Sequence, residues 1–306
     1  MSVERKSTVV TLWLILLAVS FFSVLPFFWI VLGSFKPHTE VVKGRLSPWQ
    51  SYEVSVAGEA PSGEQQVPSA GGQTQVRYVT LENYKHILTT LSGLPTYYFN
   101  TIYLSVGGTV LALFIGGLAA YGFARFRFPG RDVLFLVLLS TMMIPMHTLI
   151  IPRFILYKNL GWLNTLLPLI VPQFFGGAFN VFLLRQYFMS IPMELDDAAR
   201  IDGCGYLGIF WRIILPLSKP ALGAVMVFEF LSTWDDFMGP LIYISSDKNY
   251  TVALGLAQFR NDYFIEWNIF LAAAAMAMAV PLVIFFIAQK YFIEGVQLTG
   301  AGGVKG

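Results

Sequence analysis

The residues of this chain that could do chemistry fall into one charged stretch and one polar stripe. The stretch, MELDDAARIDGCGYLGIFWRIILPLSKPAL at residues 193–222, lies between two long apolar runs. Within it Asp197, Ala198 and Ala199 are followed after three residues by Gly203, and nine residues later by Ile213, then Leu215 and Pro216. The stripe is Glu229, Thr233 and Asp236, spaced so that all three share one helical face, with Trp234 and Asp235 beside it. Gln173 and Asn180, seven residues apart in an earlier apolar run, share a face in the same way. Carboxylates accept hydroxyl hydrogen bonds and an indole can stack on a pyranose ring, so one reading is the polar wall of a solute pathway. The other is hydrogen bonding between helices, or simple interfacial exposure for Asp235 and Asp236. Both readings stand at this point.

No constellation for covalent or hydrolytic catalysis accompanies these residues. The chain has no G-x-x-x-x-G-K-[ST] phosphate loop, no H-E-x-x-H, no G-x-S-x-G and no paired cysteines. His38, His86 and His147 lack metal-ligand spacing and read as structural or exposed. Cys204 is the only cysteine, so no intrachain disulfide can form. Neither a catalytic residue nor a metal site is assigned, and the chain reads as a non-enzyme.

The elements that position the stretch and the stripe are set by composition. Hydrophobic residues make up 56% of the 306 residues and charged residues 12%, against about a quarter charged in a soluble domain. The apolar residues form long blocks rather than stripes, which makes lipid the expected solvent. A net charge of +2 is too small to suggest a nucleic-acid partner. Six spans are predicted, near 8–33, 101–124, 133–156, 165–184, 221–244 and 269–292. The first has no small-residue cleavage site behind it and reads as a retained span, not a signal peptide. Pro145 and Pro152 in the third, and Pro168 and Pro172 in the fourth, predict kinks. Small residues in the sixth, IFLAAAAMAMAVPLVIFF, allow close helix approach.

Arg5, Lys6, Arg125, Arg127, Arg131, Arg185, Arg200, Arg212, Lys219, Lys290 and Lys305 fall on one side of this topology. The positive-inside rule makes that side, with both termini and residues 193–222, cytoplasmic. The first outer loop holds a Gly-, Ser-, Gln- and Pro-rich insert at 50–79, expected to be poorly ordered. The chain then divides into 1–34, the N-terminal region with the first span, and 35–100, the outer loop. Residues 101–292 form the core, including the loop 193–220, and 293–306 a cytoplasmic tail. In that loop, Pro192 and the acidic Glu194, Asp196 and Asp197 suit a helix start. Gly203 and Gly205 suit its end, and Tyr206, Leu207, Phe210 and Trp211 give a second helix an apolar face.

The D-A-A-x3-G-x9-I-x-L-P pattern closely resembles the cytoplasmic loop of permease subunits of bacterial binding-protein-dependent ABC importers. ENYKHIL (82–88), YFNT (98–101), WDDFMGPLI (234–242) and the tail QLTGAGGVKG (297–306) resemble the carbohydrate-uptake branch, specifically its maltose-type second permease. Asp197 departs from the Glu usual there, keeping the charge with a shorter reach. The resemblance implies an all-α integral membrane protein, the type I ABC importer permease fold, in the bacterial plasma (inner) membrane. It further implies that the loop forms coupling helices lying in a groove of a cytoplasmic ATPase. Ala198, Ala199, Leu207 and Phe210 would anchor it, Asp197 would pair with a basic group, and Gly203 would set the interhelical angle. The implied partners are a second homologous permease, two ATPase subunits that use ATP and Mg, a solute-binding protein outside and a carbohydrate substrate. No cofactor is expected on this chain. The outer loop 245–268 resembles the family's segment that touches the solute-binding protein, an interfacial helix being the other reading. The rival class is an ion-coupled secondary transporter or channel using Glu229 and Asp236.

Overall fold

The computed structural model describes residues 3–36, 38–42, 65–68, 74–77, 81–90, 93–257 and 266–301. It forms two compact units, residues 1–92 with 256–279 and residues 93–255 with 280–306. The described chain is almost wholly helical. Within the insert 50–79, expected to be poorly ordered, Gln65–Pro68 pairs antiparallel with Thr74–Arg77, Gln65 opposite Arg77. The rest of that insert lies outside the described residues, as does the tail beyond Ala301.

In the first unit, helix α1 (Val3–Ser34) carries an apolar run from Val9 to Ser34 in which no residue before Gly33 is buried; Trp13 and Phe22 stand exposed. An apolar helix bare all round is suited to lipid. Its C-terminal end is held by α2 (Glu82–Thr90), the helix of the ENYKHIL segment. Asn83 donates to the carbonyls of Ser34 and Lys36 at 2.8 and 2.9 Å, Tyr84 meets the Ser34 hydroxyl at 2.7 Å, and Asn268 donates to Asn83 at 2.8 Å. The orphan carbonyl of Ser34 at the helix end is satisfied in this way.

The second unit is built on α3 (Leu94–Arg125), 32 residues or about 48 Å of helix. It starts earlier than the expected span because Pro95 suits a first turn. Helix α4 (Arg131–Ser140) follows after Gly130, which sits at φ +82°. A break at Pro145 then turns the chain: the segments Arg131–Met143 and Met146–Asn159 meet at 92°, the second containing α5 (Ile150–Asn159). The fourth span, Leu167–Ser190, is interrupted by Gly176 and Gly177, both at positive φ, before α6 (Ala178–Ser190). The loop 193–217 supplies α7 (Glu194–Ile201) and α8 (Tyr206–Leu217), and α9 (Lys219–Trp234) leaves α8 at 80°. Helix α9 has 16 residues, about 24 Å, short of the roughly 30 Å of a hydrocarbon core. The expected fifth span therefore does not run unbroken to residue 244. It stops at Trp234 and resumes as α10 (Met238–Tyr243). After α11 (Val252–Ala257), α12 (Trp267–Ala301) closes the described chain. Among the described residues, four helices are long and apolar enough to cross a membrane, or up to six spans if each bent pair counts as one.

Helix α3 packs along α6 and α9 and against the break between residues 171 and 175. At one point two backbones meet, glycine on glycine. A Cβ on Gly176 would lie 2.8 Å from the backbone of Gly116, and one on Gly116 would lie 2.9 Å from the Gly176 carbonyl oxygen. Backbone cannot move aside as a flexible side chain can. Gly176 also has φ +73°, a region that Cβ-bearing residues disfavour. Gly176→Ala is therefore expected to cost about 2–4 kcal/mol, read as a lowered thermal midpoint of the purified protein in detergent. Gly122→Ala, inside the same helix with nothing within 4 Å, should not lower the midpoint and should raise it slightly.

Candidate functional site

The two groups of residues singled out by sequence lie at different levels of α3, the loop at its C-terminal end and the stripe alongside its middle. At its C-terminal end the guanidinium of Arg125 is aimed into the loop that carries α7. Arg125 Nε lies 3.2 Å from Asp196 Oδ2, with both side chains almost completely buried. The same guanidinium donates to the Ile191 carbonyl at 3.0 Å and to Met193 Sδ at 2.9 Å. Neither Asp196 oxygen receives an aligned hydrogen bond, so the carboxylate is held by charge alone. Burial pushes its pKa above the ordinary 3.8, while Arg125 and Arg200 pull it back down. Sequence reasoning placed Asp196 among acidic residues complementing a helix start and missed this role; an isolated Arg at the end of an apolar run was the available signal.

Around the ion pair the loop is rooted in an apolar core. Ala120 and Tyr121 of α3, Val181, Leu184 and Phe188 of α6, and Ala199, Ile209, Phe210 and Ile214 of the loop pack together. Tyr121 meets the Phe210 ring at 5.2 Å and donates to the Tyr206 carbonyl at 3.2 Å. Two expected anchors therefore face inward. Ala199 is 6% exposed and Phe210 1%, and they fasten the loop to its own chain rather than offering a surface. Of the apolar face expected on α8, Tyr206, Leu207 and Trp211 stay exposed while Phe210 packs inward with Ile209 and Ile214, and from Phe210 the ladder widens into a π turn that runs to Ile214. That widening lies beside Pro216, which has no N–H for the carbonyl four residues back. Ile213 and Leu215 are half-buried at this turn, and Pro216 is exposed where the loop bends toward α9.

The outward face of the loop carries Asp197, Ala198, Gly203 and Leu207, with Leu207 65% exposed. Ile201, not singled out by sequence, projects furthest at 87% exposed. Gly203 has φ +82° and follows α7 directly, turning the chain toward α8. Asp197 pairs with Arg200 of its own helix at 3.3 Å, and Arg200 lies over the Tyr206 ring at 5.3 Å. Arg185 sits 4.0 Å over the Phe135 ring and donates to the Phe123 carbonyl.

Alongside the middle of α3 the polar stripe divides. Asn180 donates to Glu229 at 2.7 Å, the interhelical bond that sequence held open as an alternative. Gln173 is parted from Asn180 by the break at Gly176 and Gly177, so seven-residue spacing does not put the two on one face. Trp234 is 3% exposed, stacked on Phe230 at 5.7 Å and beside Tyr98. Its ring is packed within the chain, against Phe230 and Tyr98. Asp236 lies beyond the end of α9 and accepts the Gly239 N–H at 3.0 Å, capping α10. Gln173, Thr233 and Asp236 do line one cavity, of about 490 Å³.

The loop after α10 is pinned from two directions. Asn164, at φ +59°, accepts the N–H groups of Ser245 and Ser246, and its carbonyl accepts from Asn249. From α3, Asn100 donates to the carbonyls of Lys248 and Tyr250, and the Thr101 hydroxyl accepts the Val252 N–H. The YFNT segment thus fixes loop 245–252. Of the expected docking loop 245–268, residues 258–265 lie outside the described residues.

Residues 108–297 match the model of the family described as binding-protein-dependent transport system inner membrane component. The chain belongs to this family. This transport component is 33% identical to the arabinooligosaccharides transport system permease protein AraQ of Halalkalibacterium halodurans, over 99% of this chain and 100% of that one. It is 27% identical to the lactose transport system permease protein LacG of Rhizobium radiobacter, over 96% and 97%. Its fold is shared with a chain in the crystal structure of a bacterial ABC transporter that imports the acidic polysaccharide alginate, at TM-score 0.72, 23% identity and coverage of 95% and 99%.

In this family member, Asp196→Ala leaves Arg125 buried without its counter-charge and should cost about 3–5 kcal/mol. Phe210→Ala should cost about 3–5 kcal/mol through the cavity it opens. Leu207→Ala should stay within about 0.5 kcal/mol. Thermal unfolding of the three variants in one detergent checks the inward and outward assignments together.

Proposed function

We propose that the chain is a permease subunit of an ATP-driven carbohydrate importer and couples to a separate cytoplasmic ATPase through residues 193–220. The observation that carries this reading is the two-sided loop. Its inner face is fixed to α3 by Arg125, Asp196 and Phe210, while Ile201, Tyr206 and Leu207 stand exposed on the outer face. Such a knob suits a groove on a soluble partner, and its rigid base lets a push on the knob reach α3, α6 and α9. Family membership and relatives named for arabinooligosaccharide and lactose transport support the same reading.

In this account the chain pairs with a second permease to enclose the pathway, and a solute-binding protein delivers the sugar outside. ATP and Mg are used by the ATPase; this chain holds no cofactor and catalyses nothing. Both termini lie in the cytoplasm, on the side of the loop, as the distribution of Arg and Lys supports. Closure of the ATPase pair moves the loop, and the helices rooted in it follow as rigid bodies between inward- and outward-open states. Ion coupling has less to work with, because Glu229 and Asp236 are both engaged within the chain.

Reconstituted with its partners in vesicles, the protein should accumulate sugar with ATP and continue when the ion gradients are collapsed. Uptake that stops with the gradient and ignores ATP would contradict the reading. Ile201→Asp should weaken ATPase co-purification by about tenfold or more without lowering the thermal midpoint of the isolated permease.

A further inference from the structure

The 92° break at Pro145 returns the segment Met146–Asn159 against the end of α9 and the start of α10. It brings His147 and Arg153 to the cavity of about 490 Å³ that Gln173, Thr233, Asp235 and Asp236 also line. That volume falls within the roughly 300–1,000 Å³ of small-molecule sites. Gln173 and Thr233 converge at one spot, both within 4 Å of a Cβ built on Gly108. Leu169 and Phe237 add apolar wall.

What separates this cavity from a packing defect is its hydrogen-bonding capacity. Asp236 gives one oxygen to the Gly239 N–H. Among the described residues, the side chains of Arg153, Gln173, Thr233 and Asp235 meet no hydrogen-bond or ion-pair partner within the chain. A guanidinium and an amide supply donors, and Asp235 and the amide oxygen supply acceptors. The Thr233 hydroxyl serves as either. Donors and acceptors interleaved on a partly apolar wall match a sugar ring, with its hydroxyl edge and C–H face. Two carboxylates against one guanidinium repel an anionic ring: a uronate or a phosphorylated sugar meets like charge wherever it reaches Arg153.

We propose that this cavity is a sugar subsite on this chain, taking neutral polyhydroxylated rings and rejecting anionic ones. The proposal rests on the importer reading, extending it to a ligand class and to His147, Arg153 and Asp235 as the residues that complete the site.

The test uses the assembled complex in vesicles, with Ser232→Cys as a thiol reporter in the cavity lining and Cys204→Ser removing the native thiol. Maleimide labelling is followed with arabinobiose, lactose or digalacturonate, and ATP-dependent uptake of the same sugars is measured in parallel. At least one neutral disaccharide should slow labelling about fivefold or more while digalacturonate does not. Asp235→Asn should narrow that discrimination about five- to tenfold. No protection by either neutral sugar, or equal protection by digalacturonate, overturns the subsite. Protection without ATP-dependent uptake keeps the subsite and overturns the importer reading. Uptake without protection does the reverse.

Discussion

A buried ion pair, Arg125 with Asp196, ties the longest helix of the second unit to the segment that reaches outward from it. Two charges taken out of water cost more than their attraction returns unless something else gains from their placement. Here the gain is geometric. One guanidinium holds a carboxylate, a carbonyl and a thioether, all between residues 191 and 196, so α7 cannot shift against α3 without exposing or unpairing a charge. Apolar packing alone, as at Tyr121 and Phe210, would permit sliding. The pair makes the first half of the loop an extension of α3.

The same helix reaches the opposite end of the second unit. Asn100 and Thr101 in its first turns hold the loop 245–252, roughly 37 Å from Arg125 along the axis. Between these ends its glycines let other backbone and side chains come close: Gly116 meets Gly176, and Gly108 leaves space where Gln173 and Thr233 converge. One rod therefore contacts the outward knob, the glycine-on-glycine crossing, the edge of the polar cavity and the loop at the far end. Motion entering at Ile201 has a stiff path to each, which is what rigid-body alternation between two states requires.

The long apolar runs were legible because lipid demands about 20 apolar residues per crossing, and no soluble pattern imitates that. The loop was legible from spacing, and Gly203 from the need for a left-handed turn after α7. Which loop residues face inward was not: helical phase groups Phe210 with Tyr206, yet Phe210 packs into the core against Tyr121 while Tyr206 stays exposed. The phase argument also failed at Gly176 and Gly177, which part Gln173 from Asn180, and at the end of α9, which leaves Asp236 to cap α10. Pairings across long stretches of chain were out of reach of periodicity altogether. Arg125 finds Asp196, and Arg153 finds Asp235's cavity, only through bends whose angles no sequence period encodes.

The central claim is that the exposed face of loop 193–220 meets a nucleotide-hydrolysing subunit. Its most direct measurement is a photo-crosslinking side chain placed at position 201 in the intact complex, with the adducts identified by mass spectrometry. The account expects one dominant adduct, with the ATPase subunit. Adducts with lipid alone, or with the second permease in place of the ATPase, would contradict it.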